Sequence, residues 1–197
     1  MTSIAKIYGL VLSGGKSIRM GKDKGLIAYH GVPQREYLYR LLAEVCDNTF
    51  MSIRKEQTNE IGATFQTIVD EDVFKGPFNG ILSAHKAYPE VAWLVLACDM
   101  PLIDVESLRN LIASRKSNAY ATCYALKENP LPEPLCAIWE PYGLKMATSY
   151  MEAGRNGSCP RKFLINNDTH LVYPENENVL MNANSELEYQ EALAKLA

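Results

Sequence analysis

Metal-binding and disulfide chemistry have little to work with in this chain. Its histidines are only His30, His85 and His170, and none has the spacing of a metal ligand. Its five cysteines (Cys46, Cys98, Cys123, Cys136 and Cys159) are odd in number, widely spaced and include no Cys-x-x-Cys pair. That pattern fits free thiols and argues against a zinc site or a disulfide framework. No apolar run approaches the ~20 residues that a transmembrane helix needs. The apolar N-terminal segment breaks at Gly14-Gly15 before any cleavage-like site, so a cytoplasmic protein with no membrane partner is expected. A basic excess is also missing: 20 Lys and Arg face 23 Asp and Glu, for a formal charge of −3. That balance argues against nucleic acid as the main partner. Repeats, low-complexity tracts and linkers are absent too. The 197 residues, 47% hydrophobic and 22% charged, are expected to form one domain over 1–197 with a sizeable core.

Against that background one stretch stands out, Leu12 to Lys24. It follows an apolar run, Ile7 to Leu12, that reads as a buried strand, so Gly14-Gly15 fall where the strand leaves its sheet. Glycines there let backbone N–H groups turn to a ligand with no Cβ in the way. Lys16, Arg19, Lys22 and Lys24 then gather positive charge against Asp23 alone. A P-loop needs a glycine five residues before Gly15, where Leu10 stands, and a dinucleotide fingerprint needs Gly-x-Gly-x-x-Gly, whereas Gly14 and Gly15 are adjacent. Neither motif fits. In isolation such a cluster reads as a solvated turn.

Further along, Tyr37, Leu38, Leu41, Leu42 and Val45 share a helical face, with Pro33 as the first residue of that helix. Thr49 to Ile53 and Phe65 to Val69 read as strands, the second closed by Asp70-Glu71-Asp72. Gly76 to Gly80 opens a helix running to about Tyr88, whose N-terminal N–H groups suit a polar ligand edge as well as a plain joint. Val91 to Ala97 is apolar without alternation, as in a strand covered on both faces, and ends in Cys98-Asp99-Met100-Pro101. Asp104 reads as the N-cap of the next helix. Alternating strand and helix signals imply parallel strands with crossover helices, and in such a sheet Leu12, Asp70 and Asp99 share the carboxyl edge where ligands bind.

In the second half, Ala119 to Ala125 and Leu135 to Trp139 read as a strand and its return, and Pro141 starts a helix through Met151. Gly154 to Asp168, with Arg155, Arg161 and Lys162, reads equally as a second anion site or as a loop with a short surface helix. Ser185-Glu186-Leu187-Glu188 is a capping box for a last helix carrying Tyr189, Ala192, Leu193 and Leu196.

Leu-Ser-Gly-Gly, Ser17, Arg19-Met20-Gly21 and Asp23-Lys24 resemble the signature loop of the molybdenum cofactor guanylyltransferases, roughly LAGGxSxRMGxDK, with Ser13 in place of alanine. Asp70 before Gly76-Pro77 through Gly80, Cys98 to Pro101, Glu133 to Trp139, and Asn182-x-Asn184 follow in the family's order, so the resemblance covers nearly the whole chain. Phe78, Asn79 and Arg54 depart from the family's usual residues.

This resemblance implies a Rossmann-like α/β three-layer sandwich with a mostly parallel sheet, of the nucleotide-diphospho-sugar transferase type. It implies GTP and molybdopterin as partners, Mg²⁺ as cofactor, and transient contacts with other molybdenum cofactor proteins. By the same resemblance Arg19, Lys24 and Asp99 carry catalysis, and Leu12, Ser13, Gly14, Gly15, Lys24, Asp70, Gly80 and Asp99 bind nucleotide. Asp99 is the implied Mg²⁺ ligand, and Arg155, Arg161, Asn182 and Asn184 are the implied acceptor side. A cytidylyltransferase of the same fold, acting on molybdopterin or on a sugar or isoprenoid phosphate, is the nearest rival. Such relatives tend to carry Ala-Gly or Ala-Ala-Gly in the first loop and lack the aspartate before the lysine. A nucleotide-binding regulator or cofactor chaperone without turnover is a rival of another class, against which Asp99 and Lys24 speak.

Overall fold

The computed structural model describes residues 4–15, 23–154 and 158–196. Among these residues seven strands form one sheet: β1 (Ile7–Leu12), β2 (Asn48–Ile53), β3 (Thr67–Val69), β4 (Ala92–Ala97), β5 (Ala121–Tyr124), β6 (Cys136–Trp139) and β7 (Thr169–Val172). They lie in the order β3-β2-β1-β4-β6-β5-β7. β1 pairs in parallel with both β2 and β4, β2 with β3, and β5 with β7, so only β6 runs against its neighbours. The first four strands are the expected crossover half, and β5 and β6 are the expected strand and return.

Helices cover both faces. α1 (Gln34–Ala43) and α3 (Val105–Ala113) pack on one, where Leu38, Leu42, Leu108 and Leu111 meet Val11, Met51, Leu94 and Leu96. α2 (Pro77–Ala87), α4 (Pro141–Glu152) and α5 (Pro160–Ile165) pack on the other, where Phe78, Ile81, Leu144 and Phe163 meet Leu10, Phe50, Trp93 and Trp139. β4 sends Trp93 and Val95 to one side and Leu94 and Leu96 to the other, which explains its apolar run without alternation. The result is a three-layer α/β sandwich. The last helix, α6 (Glu186–Leu196), packs Ala192 against Tyr29 and Ala183.

Local expectations hold with small corrections. Pro33 is the N-cap of α1 in extended geometry (φ −50°, ψ 134°) rather than its first residue. The third strand is shorter than Phe65 to Val69: Phe65 turns edge-on to Tyr39 at 5.0 Å, and the ladder begins at Thr67. Asp104 does cap α3, accepting from the Ser107 N–H at 2.7 Å. β7 was not anticipated, because its four residues are all half-buried and present no clear period to read. A buried bidentate pair, Arg115 with Glu140 at 2.6 and 2.8 Å, fastens the end of α3 to the start of α4, and Arg115 Nη1 also donates to the Ala5 carbonyl at 2.8 Å.

Candidate nucleotide site

A cleft of about 400 Å³ opens at the carboxyl edge of β1 to β4. The register brings it about: Leu12 lies opposite Ser52 on one side and Ala97 on the other, and Ile53 opposite Val69. The residues that follow these strands therefore emerge side by side, at the point where the chain order reverses between β1 and β4.

From β1, the Ser13 N–H donates to the Ser52 carbonyl at 2.9 Å, which carries the ladder one residue past the strand, so the turn begins at Gly14. A Cβ on Gly14 would stand 2.6 Å from Asp70 Oδ2, so glycine there lets the carboxylate approach the loop. Asp70 Oδ1 accepts from the Ser52 hydroxyl at 2.6 Å. Burial pushes the Asp70 carboxyl up to about 6; the Ser52 hydrogen bond opposes that rise, Asp72 adds to it, and Arg54 opposes it. Gly76, at φ 67°, caps α2, and Gly80 brings that helix against Leu12 and Ser52, where a side chain would collide.

The return of the first loop is held as well. Asp23 Oδ1 accepts from the Gly25 N–H at 2.9 Å and caps a short 3-10 turn, Lys24–Leu26. Lys24 Nζ lies 3.5 Å from Asp99 Oδ2 and hydrogen-bonds to Asn184 Oδ1. The Asp99 carbonyl accepts from the Ala183 N–H at 2.8 Å, so the segment before α6 is tied to the end of β4. Asp99 Oδ1 is buried and has no hydrogen-bond partner among the described residues. A buried carboxylate oxygen left without a donor is costly unless a cation or ligand group meets it.

Leu12, Ser13, Gly14, Gly15, Lys24, Asp70, Gly80 and Asp99 thus all line the cleft. Asn184 reaches it through Lys24. Arg161 does not line it: its guanidinium donates to Glu133 at 2.7 Å and to the Pro132 carbonyl at 3.1 Å. Asn182 donates to the Leu180 carbonyl at 3.2 Å and does not line it either. Arg19 and Arg155 lie outside the described residues. Ser52, Arg54, Asp72, Phe74 and Asn79 line the cleft too, although none was named as a binding residue from the sequence. Arg54 and Asn79 did carry a signal, as departures from the family's usual residues, and so did Ser52, as a polar residue inside an apolar strand.

Among the described residues no cluster of three or more His, Cys, Asp or Glu could hold a metal by itself. Mg²⁺ needs less, because one carboxylate together with phosphate and water oxygens completes its shell. The unpartnered Asp99 oxygen fits that use. No helix among the described residues is long and apolar enough to cross a membrane.

The family model for the MobA-like NTP transferase domain matches residues 9–169. A molybdenum cofactor biosynthesis bifunctional protein from Synechocystis is 41% identical over 184 residues, covering 93% of this chain and 52% of that protein. The chain thus spans about half of that relative's length. A molybdenum cofactor guanylyltransferase from Pseudomonas fluorescens is 30% identical over 184 residues, 89% of this chain and 88% of that protein. Among solved structures, molybdopterin-guanine dinucleotide biosynthesis protein A from Archaeoglobus fulgidus shares the fold, with a TM-score of 0.78 at 20% identity over 96% of this chain and 98% of that one. Because the family model matches most of the chain, this chain belongs to the MobA-like NTP transferase domain family.

Proposed function

We propose that this chain transfers GMP from GTP to the phosphate of molybdopterin, forming molybdopterin guanine dinucleotide and releasing pyrophosphate. The observation that carries the reading is the meeting of Lys24, Asp99 and the Gly14-Gly15 turn in one cleft beside Asp70. The relatives named as molybdenum cofactor guanylyltransferases support the choice of substrates. In the reaction an oxygen of the molybdopterin phosphate attacks the α-phosphorus of GTP, the bond from that phosphorus to the β-phosphate bridging oxygen breaks, and its electron pair leaves with pyrophosphate. The nucleophile is already ionised at neutral pH, so no general base is required.

The chain's own residues supply position and charge. Backbone N–H groups of the glycine turn and the Lys24 ammonium hold triphosphate oxygens and neutralise charge as the leaving group departs. Asp99 and Asn184 fix the Lys24 ammonium from two sides, which limits its reorganisation during transfer. A bound Mg²⁺, held by Asp99 and triphosphate oxygens, would supply further neutralisation of the pyrophosphate charge. Asp70 suits the base: guanine offers adjacent N1–H and N2–H donors to a carboxylate, whereas cytosine offers one amino group. Arg19 belongs to the phosphate side and Arg155, Arg161, Asn182 and Asn184 to the acceptor side of the same proposal.

Thermal-shift measurements with GTP, CTP, ATP and UTP in the presence of Mg²⁺ test it. A tenfold preference for GTP appears as roughly 1.4 kcal/mol of extra stabilisation at saturating ligand. Equal or larger stabilisation by CTP would replace the guanylyl reading with a cytidylyl one.

A further inference from the structure

We propose that Gln57, with Arg54 beside it, is a positioning residue that sets the peptide planes of the Ser13 to Gly15 turn for a polyphosphate. The inference rests on the nucleotidyl-transfer reading above only in taking a polyphosphate as the ligand. Gln57 closes a 3-10 turn (Lys55–Gln57) just after β2 and is 1% exposed. It does not line the cleft, and sequence reasoning had no cause to select it. Its amide is nevertheless engaged in three directions. Oε1 accepts from the Arg54 N–H at 2.9 Å, and Nε2 donates to the Ser13 carbonyl at 3.2 Å and to Asp23 Oδ2 at 3.1 Å. Arg54 Nη1 donates to the next carbonyl, that of Gly14, at 2.6 Å.

These bonds have a geometric consequence. In a trans peptide the C=O of one residue and the N–H of the next point in opposite directions, and there is no cis peptide among the described residues. Capturing the Ser13 and Gly14 carbonyls from the β2 side therefore turns the N–H groups of Gly14 and Gly15 away from β2. Neither N–H donates to another described residue. Two consecutive N–H groups left free in a glycine turn form an anion-binding concavity. Asp23 also caps Gly25, so the same amide that sets the start of the first loop steadies the residue preceding Lys24. A methionine at position 57 would fill the same volume with no polar group to satisfy. The buried amide is thus explained by what it orients.

The test compares wild type with Gln57→Met, which loses all three bonds, and Gln57→Glu, which keeps the acceptor for Arg54 and loses both donors. Calorimetric affinities for inorganic tripolyphosphate and for guanosine are measured beside the melting temperature. Positioning predicts that tripolyphosphate affinity falls about tenfold or more in both variants while guanosine affinity stays within about twofold. Unchanged tripolyphosphate binding, or equal losses for the two ligands, overturns the inference, because a brace that merely holds the fold would weaken both alike. Should neither variant fold, Arg54→Lys keeps the charge at a partly exposed site while losing the fixed guanidinium direction; its expected loss is about threefold for tripolyphosphate alone, and no loss overturns the inference. A wild type that prefers CTP over GTP removes the guanylyl reading and leaves this inference standing. A wild type that binds no tripolyphosphate removes both.

Discussion

Replacing Asp70 by asparagine is expected to stabilise the ligand-free protein above about pH 6 and to weaken GTP binding at the same time. Burial raises this carboxyl from 3.8 to about 6. Between about pH 4 and pH 6 the folded protein therefore holds a proton that the unfolded chain has released, so stability falls as pH rises through that window. The cost is absent below about pH 4, where both states are protonated, and complete above about pH 6. A shift of two units converts to at most about 3 kcal/mol at ~1.36 kcal/mol per unit. Asp70 is only half-buried and opens onto the cleft, so solvent screening reduces the figure to about 1–2 kcal/mol. Asparagine keeps the acceptor for the Ser52 hydroxyl and removes the charge. Denaturant unfolding of both proteins at about pH 4 and about pH 8 isolates the effect, since the other titrating groups cancel in the difference. The variant should gain about 1–2 kcal/mol on wild type at the higher pH relative to the lower. Identical pH profiles would refute the assignment of a raised carboxyl. Wild-type GTP affinity should correspondingly decline as pH falls through about 6, where the carboxylate is lost to protonation.

Three other outcomes are expected. Asp99→Asn keeps its shape but loses the charge on the unpartnered oxygen, so nucleotidyl transfer should slow by ~10²–10³ with the fold intact, read as pyrophosphate release across a magnesium titration; wild-type rate and magnesium dependence would remove Asp99 from the mechanism. Gly14→Ala places a Cβ 2.6 Å from Asp70 and should cost about 1–3 kcal/mol, whereas no described atom lies within 4 Å of a Cβ on Gly15 and Gly15→Ala should change thermal stability by less than about 0.5 kcal/mol. Glu140→Ala leaves the Arg115 charge buried with only the Ala5 carbonyl as a partner among the described residues, and should cost about 3–5 kcal/mol in a denaturant titration while sparing nucleotide affinity.

Much of this molecule was legible along the chain because its signals are local. Apolar runs marked β1 and β4 as buried strands, and the alternation of strand and helix signals marked the sheet around them as largely parallel. The aspartate at 104 marked a helix start because a cap needs only its own neighbours. Lys24, Asp70 and Asp99 were legible as well, through motif residues and their place after strands. β7 was not, since an edge strand of four half-buried residues has no period that separates it from a loop. Nor could the chain order reveal the partnerships inside the cleft. Ser52 against Asp70, Asn184 against Lys24 and Gln57 against Ser13 join residues 18, 160 and 44 positions apart. The parallel register sets the first of these directly, and how the chain packs beyond the strand ends sets the other two. For the same reason the raised carboxyl of Asp70 and the unpartnered oxygen of Asp99 belong to the tertiary structure alone: each depends on which atoms surround a buried charge, and those atoms come from distant parts of the chain.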